Sequence, residues 1–194
     1  MSRYFYKNDT LVDEKGLTVM MGWERPIMNQ VANIITLTGG DILNIGFGMG
    51  IIDTYIQESN VNSHTIIESH PDVIDHMKIN GWESKANCFY GRWQDKIDNI
   101  GMFDGIYLDT WMDQRVPFIP ELLDKCLKVG GVFSIWHNDI EFDSLLNILS
   151  EDYEISYQYM ENNNFIPEQQ YEKGGFYINP ISDKIIIPTI TRLR

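Results

Sequence analysis

Asp41-Ile-Leu-Asn-Ile-Gly-Phe-Gly-Met-Gly50 is the stretch that decides the fold. Three apolar residues, Ile42, Leu43 and Ile45, lead into alternating glycines at Gly46, Gly48 and Gly50. An amphipathic segment, Ile51 to Glu58, follows. The order is that of a buried strand, a tight glycine turn and a helix N-terminus. Glycine lets the backbone approach a ligand, and a helix N-terminus offers unpaired N–H donors. Such a turn at the carboxyl end of a strand is where open α/β sheets bind small ligands.

The spacing separates the ligand classes. A dinucleotide fingerprint needs a small third residue at the position occupied by Ile51. No G-K-[ST] follows the glycines, which excludes a phosphate loop. G-x-G-x-G is the pattern of S-adenosylmethionine (SAM) binding in Rossmann-like methyltransferases. Glu68 ends the next apolar run, Thr65-Ile66-Ile67-Glu68, about twenty residues on. An acid at the tip of the second strand is placed to accept both ribose hydroxyls.

Outward from this stretch, strands alternate with helices, which predicts a mostly parallel seven-stranded sheet covered on both faces. Helices are expected at Pro26–Leu37, Ile51–Glu58, His70–Asn80, Pro117–Val129 (closed by Gly130-Gly131) and Ile140–Leu149, with a short one at Trp93–Ile100. Strands are expected at Asp41–Phe47, His64–Glu68, Ala86–Tyr90, Phe103–Thr110 and Val132–Trp136. Late strands at Glu154–Met160, Gly175–Asn179 and Lys184–Thr191 have no helix between them and are expected to pair antiparallel. Asn162 to Gly174 reads as a polar connection. Residues 1–25 read as a lid segment, and 26–194 as the cofactor-binding domain.

Composition bounds the function. A chain of 194 residues holds one substantial core, and 43% hydrophobic content is that of a folded globular domain. The net charge of −13 repels phosphate backbones, so nucleic acid is not an expected partner. No apolar run approaches membrane-span length, and the first ten residues lack the apolar core of a signal peptide, which predicts a cytoplasmic protein. Cys88 and Cys126 lack metal spacing, and the four histidines form no metal motif, so no metal is expected.

Five further positions fall where the topology gathers chemistry. Asp109 ends the fourth strand at the edge shared with Gly46–Gly50 and Glu68. It reads either as a turn aspartate or as a catalytic carboxylate beside the cofactor. Glu24 precedes the first helix, where an acid is also favoured by the helix dipole. Trp93, after Gly91-Arg92, is placed to stack on a flat ring or to anchor its segment. His137 and Asn138 follow the fifth strand at the same edge, within reach of a substrate.

The chain resembles the guanidinoacetate N-methyltransferase family and the arginine N-methyltransferases that share its domain. The resemblance rests on Val19-Met20-x-x-Trp23-Glu24-x-Pro26-x-Met28, Gly46-Phe47-Gly48-Met49, Ile66-Ile67-Glu68, Gly91-x-Trp93-x-Asp95 and Phe103-Asp104-Gly105-Ile106-x-x-Asp109-Thr110. It implies a SAM pocket formed by Met20, Met28, Gly46, Phe47, Gly48, Met49, Gly50, Glu68, Gly91, Trp93 and Asp109. S-adenosylhomocysteine would be the product. It also implies that Glu24 and Asp109 grip a guanidinium, a planar fork of donors suited to two carboxylates. The main expectation is a free guanidino acceptor such as guanidinoacetate. The alternative is an arginine, or another cationic side chain, on a peptide or protein. A non-catalytic SAM-binding module is a third reading, opposed by the presence of both Glu24 and Asp109. Asn44 stands where the family usually carries an acid, which predicts a differently organised cofactor turn. Trp111 replaces a common tyrosine, and Trp136-His137-Asn138-Asp139 departs from the family residues that touch the distal end of the substrate.

Overall fold

The computed structural model describes residues 2–110, 115–136, 144–161 and 184–194. The run that contains Ile42, Leu43 and Ile45 forms strand β4 (Asp41–Ile45), with every residue after Asp41 buried. A strand so apolar belongs inside a sheet that is covered on both faces. Its parallel neighbours are β5 (Ser63–Glu68) on one side and β7 (Phe103–Leu108) on the other. Beyond these lie β6 (Asn87–Tyr90) and β8 (Leu127–Ile135), also parallel. Strands β9 (Tyr153–Glu161) and β10 (Lys184–Arg192) complete the sheet, in the order β6-β5-β4-β7-β8-β10-β9. β10 is antiparallel to both β8 and β9, as expected for the C-terminal pair. Among the described residues this is the expected Rossmann-like, mostly parallel seven-stranded sheet.

Side-chain alternation divides the core between the two faces. Ile42, Ile66 and Tyr107 share one cluster with α1 (Arg25–Ile35), α2 (Ile51–Glu58) and α3 (Pro71–Ile79). Leu43, Ile45, Ile67, Ile106 and Leu108 face the other way, onto α4 (Ile119–Cys126) and Trp93. Burial of these aliphatic faces supplies the main driving force for folding.

Several boundaries differ from the sequence expectation. The helix expected over Pro117–Val129 is a 3-10 turn at Val116–Phe118 followed by α4, which stops at Cys126. Leu127 pairs instead with Phe103, so residues 127–129 are strand; sheet pairing overrides the helical periodicity. Gly130-Gly131 therefore lies inside β8, beside a register irregularity, and does not end a helix. The segment at Trp93–Ile100 forms only a 3-10 turn over Trp93–Asp95, long enough to bury Trp93 and Ile97. Residues 144–146 are helical within the expected Ile140–Leu149 helix. Residues 140–143, the Asn162–Gly174 connection and the Gly175–Asn179 strand lie outside the described residues.

The first 25 residues contain structure that their aromatic pattern did not disclose. β1 (Tyr4–Lys7), β2 (Thr10–Asp13) and β3 (Thr18–Met21) form an antiparallel sheet. Asn8 and Asp9, with φ of 48° and 60°, make the two-residue turn between Lys7 and Thr10. Asn and Asp tolerate that left-handed backbone, which matches the twist of a hairpin.

Candidate active site

The carboxyl ends of β4, β5 and β7 meet at one edge, and the glycine turn is built there by close contacts. The Gly46 N–H donates to the Ile67 carbonyl at 2.9 Å, and the Asp109 N–H donates to the Ile45 carbonyl at 2.8 Å. A Cβ on Gly46 would stand 1.8 Å from the Asp109 carbonyl oxygen, and its φ is +95°. Only glycine meets both conditions. Gly48 is similarly constrained, since a Cβ there would approach Met20 Sδ to 2.7 Å. Met20 Sδ in turn accepts the Met49 N–H at 3.2 Å.

Glu68 holds this turn as much as it faces a ligand. One carboxylate oxygen accepts the Phe47 N–H at 2.9 Å. The other accepts the N–H groups of Ser69 at 2.6 Å and His70 at 2.7 Å. An ionised carboxylate has about four acceptor positions, so three backbone donors leave one for a hydroxyl. Sequence reading gave Glu68 only the ribose; its role as a backbone clamp emerges from the fold.

Asp109, far from Glu24 in sequence, acts on it here. Glu24 is 2% exposed and accepts the Met21 N–H at 2.6 Å. Burial raises its carboxyl well above the ordinary range, and repulsion from Asp109 adds to this against the lowering effect of the Met21 N–H. Burial likewise pushes Asp109 up to about 6, with Arg115 opposing and Glu68 reinforcing the shift. Asp109 thus raises Glu24 and is itself raised by Glu68 at this edge. Arg115, 5% exposed and donating from Nη1 to the Thr110 carbonyl at 3.4 Å, is a nearby buried cation that sequence reading missed. Its only signal was its place six residues after Asp109 in the sequence.

The other expected residues divide into those at the turn and those behind it. Phe47 is buried, with its ring edge-on to Trp82 at 5.1 Å. Gly91 donates its N–H to the Glu68 carbonyl at 2.8 Å, so it sits at the same strand edge. Trp93 is buried on the α4 side, edge-on to Phe118. Met28 is fully buried on α1. His137, Asn138 and Trp111 lie outside the described residues.

The N-terminal sheet is fastened against this edge. The Tyr6 hydroxyl donates to the Gly48 carbonyl at 2.8 Å. Tyr4 stacks on His70 at 3.6 Å, and Tyr6 stacks on His76 at 3.8 Å. Arg3 pairs with Asp72 at 2.9 Å, and Arg25 ties the hairpin turn to α1 through Asp9 at 2.6 Å.

Two observations fit a polar nucleoside ligand at the turn. The N-terminus of α2, which begins directly after Gly50, receives no side-chain cap among the described residues, and its first N–H donors suit a polar ligand. Thr110 Oγ1, beside Asp109, is buried and has no hydrogen-bond partner among the described residues. Among those residues no cluster of His, Cys, Asp or Glu could hold a metal, and no helix is long and apolar enough to cross a membrane.

A family model described as guanidinoacetate N-methyltransferase matches residues 2–190. Protein arginine N-methyltransferase 2 of Saccharomyces cerevisiae is 40% identical over 147 residues, which cover 68% of this chain and 36% of that protein. The protein of the same name from Aspergillus oryzae is 35% identical over 182 residues, or 90% of this chain and 42% of that protein. The chain therefore spans only about a third to two-fifths of the length of these relatives. Among solved structures, an O-methyltransferase from Bacillus cereus in complex with S-adenosylhomocysteine has a TM-score of 0.59 at 13% identity, covering 86% of this chain and 81% of its own. The S-adenosylhomocysteine-bound methyltransferase PaMTH1 of Podospora anserina has a TM-score of 0.56 at 14% identity, covering 87% and 77%. At such identity these two establish the fold alone.

Proposed function

We propose, on the premise that the chain belongs to the guanidinoacetate N-methyltransferase family, that it transfers a methyl group from SAM to a guanidino nitrogen of an arginine side chain. The observation that carries this reading is the pair Glu24, buried, and Asp109, half-buried, each raised above its ordinary range, with the charge of Asp109 acting on Glu24. Like charges in a buried site are unfavourable unless a cation comes between them. A guanidinium is such a cation, and its fork of donors suits two carboxylates.

SAM supplies an activated methyl on a positive sulfonium. The chain's own residues do the rest. The Gly46–Gly50 turn and the remaining acceptor position of Glu68 orient the nucleoside. Glu24, fixed by the Met21 N–H, holds the plane of the acceptor. Asp109, ionised above about pH 6, takes the proton that the guanidino nitrogen gives up as it is methylated. Arg115 favours that ionised form. The Tyr4–Met21 sheet, latched by Tyr6 on Gly48, acts as a lid that keeps water from the reacting atoms. Residues 26–194 then form the catalytic domain beneath it. No metal step is required.

The names of the relatives, protein arginine N-methyltransferase 2, favour a peptide or protein acceptor over the free guanidino acid that the sequence put first. The description of the family model favours guanidinoacetate as the second reading. The acidic surface favours neither nucleic acid nor an anionic membrane as a partner. Calorimetric titration separates the acceptors. The protein is titrated with SAM, then with an arginine-containing peptide and with guanidinoacetate in the presence of S-adenosylhomocysteine. Binding of the peptide supports the first reading; binding of guanidinoacetate alone replaces it with the second. Failure to bind SAM removes both.

A further inference from the structure

A polar chain unused by this reaction runs beneath the glycine turn. Asn44 on β4, His64 on β5 and Asp53 in the first turn of α2 are all buried, on the sheet face that α2 covers. Gln57 Nε2 lies 2.8 Å from His64 Nδ1 and donates to the Lys85 carbonyl at 3.2 Å. A carbonyl only accepts, so it orients the Gln57 amide with nitrogen toward both partners. His64 Nδ1 then accepts, and the proton of the neutral ring sits on Nε2. That nitrogen lies 3.1 Å from Asp53 Oδ1. Asn44 Nδ2 donates to the same oxygen at 2.8 Å and to the Gly46 carbonyl at 3.0 Å. These residues run from Lys85 to the first glycine of the turn, with the His64–Asp53 step a close ion-pair contact and not a hydrogen bond.

The Asn44 amide donates to Oδ1 and the His64 ring stands 3.1 Å from the same oxygen, surroundings that suit an ionised carboxylate. The other oxygen, Oδ2, has no hydrogen-bond partner among the described residues. Asp53's ion-pair partner among those residues is His64, which this tautomer leaves neutral. A buried carboxylate left so lightly compensated is costly, and the cost falls when a cation settles nearby. The Asn44 amide links it directly to the backbone on which the cofactor would rest.

We propose that Asp53, held by Asn44 and His64, is a positioning residue that sets a fixed negative charge behind the glycine turn and biases the site toward cationic SAM over its neutral product, S-adenosylhomocysteine. The inference rests on the reading of the turn as a SAM site. Transfer of the methyl group removes the positive charge of the sulfonium, so the same carboxylate attracts the incoming cofactor and loses its hold on the product. Asn44 takes part by locking Asp53 to Gly46, which gives the departure at that position a function.

The test compares the affinities of SAM and S-adenosylhomocysteine by calorimetry in the parent protein and in two variants. Asp53→Asn keeps the shape and an acceptor for the Asn44 amide while removing the charge. Asn44→Leu with Asp53→Leu replaces the pair by apolar groups of similar size, and serves where the single variant does not fold. In either variant SAM is expected to weaken about five- to tenfold, while S-adenosylhomocysteine changes by less than about twofold. Equal weakening of both ligands would make the chain a purely structural brace and overturn the proposal, as would no change in either. A parent protein that binds neither ligand defeats the cofactor reading itself, a result distinct from an unmoved ratio.

Discussion

The carbonyl oxygen of Asp109 fills the space where a side chain on Gly46 would begin, 1.8 Å from the ideal Cβ position. The carboxylate proposed to take the proton and the turn proposed to hold the cofactor are therefore one rigid unit, joined by backbone. Gly46→Ala must force the two apart and also adopt a φ of +95° with a side chain. It is expected to lose about 2 kcal/mol or more of stability and all measurable cofactor binding. Chemical denaturation and calorimetry on the same sample check both.

Asp109→Asn keeps the shape of the site and removes its proton acceptor. SAM affinity should stay within about threefold, while turnover falls by about 100-fold or more. Single-turnover measurement at saturating SAM reads the chemical step directly. A variant with normal turnover would exclude Asp109 as the proton acceptor.

The pH dependence of rate and stability should run in opposite directions. Asp109 is raised from an ordinary 3.8 to about 6 by burial, so the folded chain holds this proton more tightly than the unfolded chain. Its contribution favours the fold below about 3.8 and is lost as pH rises through about 6. Glu24 is raised also and acts in the same sense. Turnover needs Asp109 ionised and should climb through the same window. Parallel pH profiles of rate and denaturation midpoint, with Asp109→Asn flattening both, would establish the link.

Arg115 lowers the Asp109 carboxyl against the effect of burial. Arg115→Gln should move the acid limb of the rate profile upward by about one pH unit. A loss of rate with no movement of that limb would assign Arg115 to folding alone.

Tyr6→Phe removes the bond from the hydroxyl to the Gly48 carbonyl and leaves the stack on His76. A net contribution of about 1 kcal/mol predicts cofactor dissociation roughly fivefold faster. Stopped-flow displacement of bound SAM measures it. Burial lowers the His76 imidazole below its ordinary value, so the unfolded chain binds this proton more readily. The stack is therefore most secure above pH 6.5 and loosens as pH falls below it.

The sequence by itself determined the parallel sheet, the glycine turn and the strand-end placement of Glu68 and Asp109. These follow from local signals: apolar runs at strand length, glycines at fixed spacing, and acids directly after the runs. Only the tertiary structure decided what depends on partners distant along the chain. Leu127–Val129 became strand because β7 offered a ladder, although their pattern continued a helix. The N-terminal residues became a sheet, its one legible signal the Asn8-Asp9 turn. Glu68 became a clamp because folding placed three backbone donors around it. Arg115 became a neighbour of Asp109 because the fold brings its buried guanidinium within reach of that carboxyl. Asn44 stands in the sequence as a departure from the family's usual acid. In the fold it is the link between Gly46 and Asp53, nine residues further along, because a strand and the helix that covers it bring their side chains face to face.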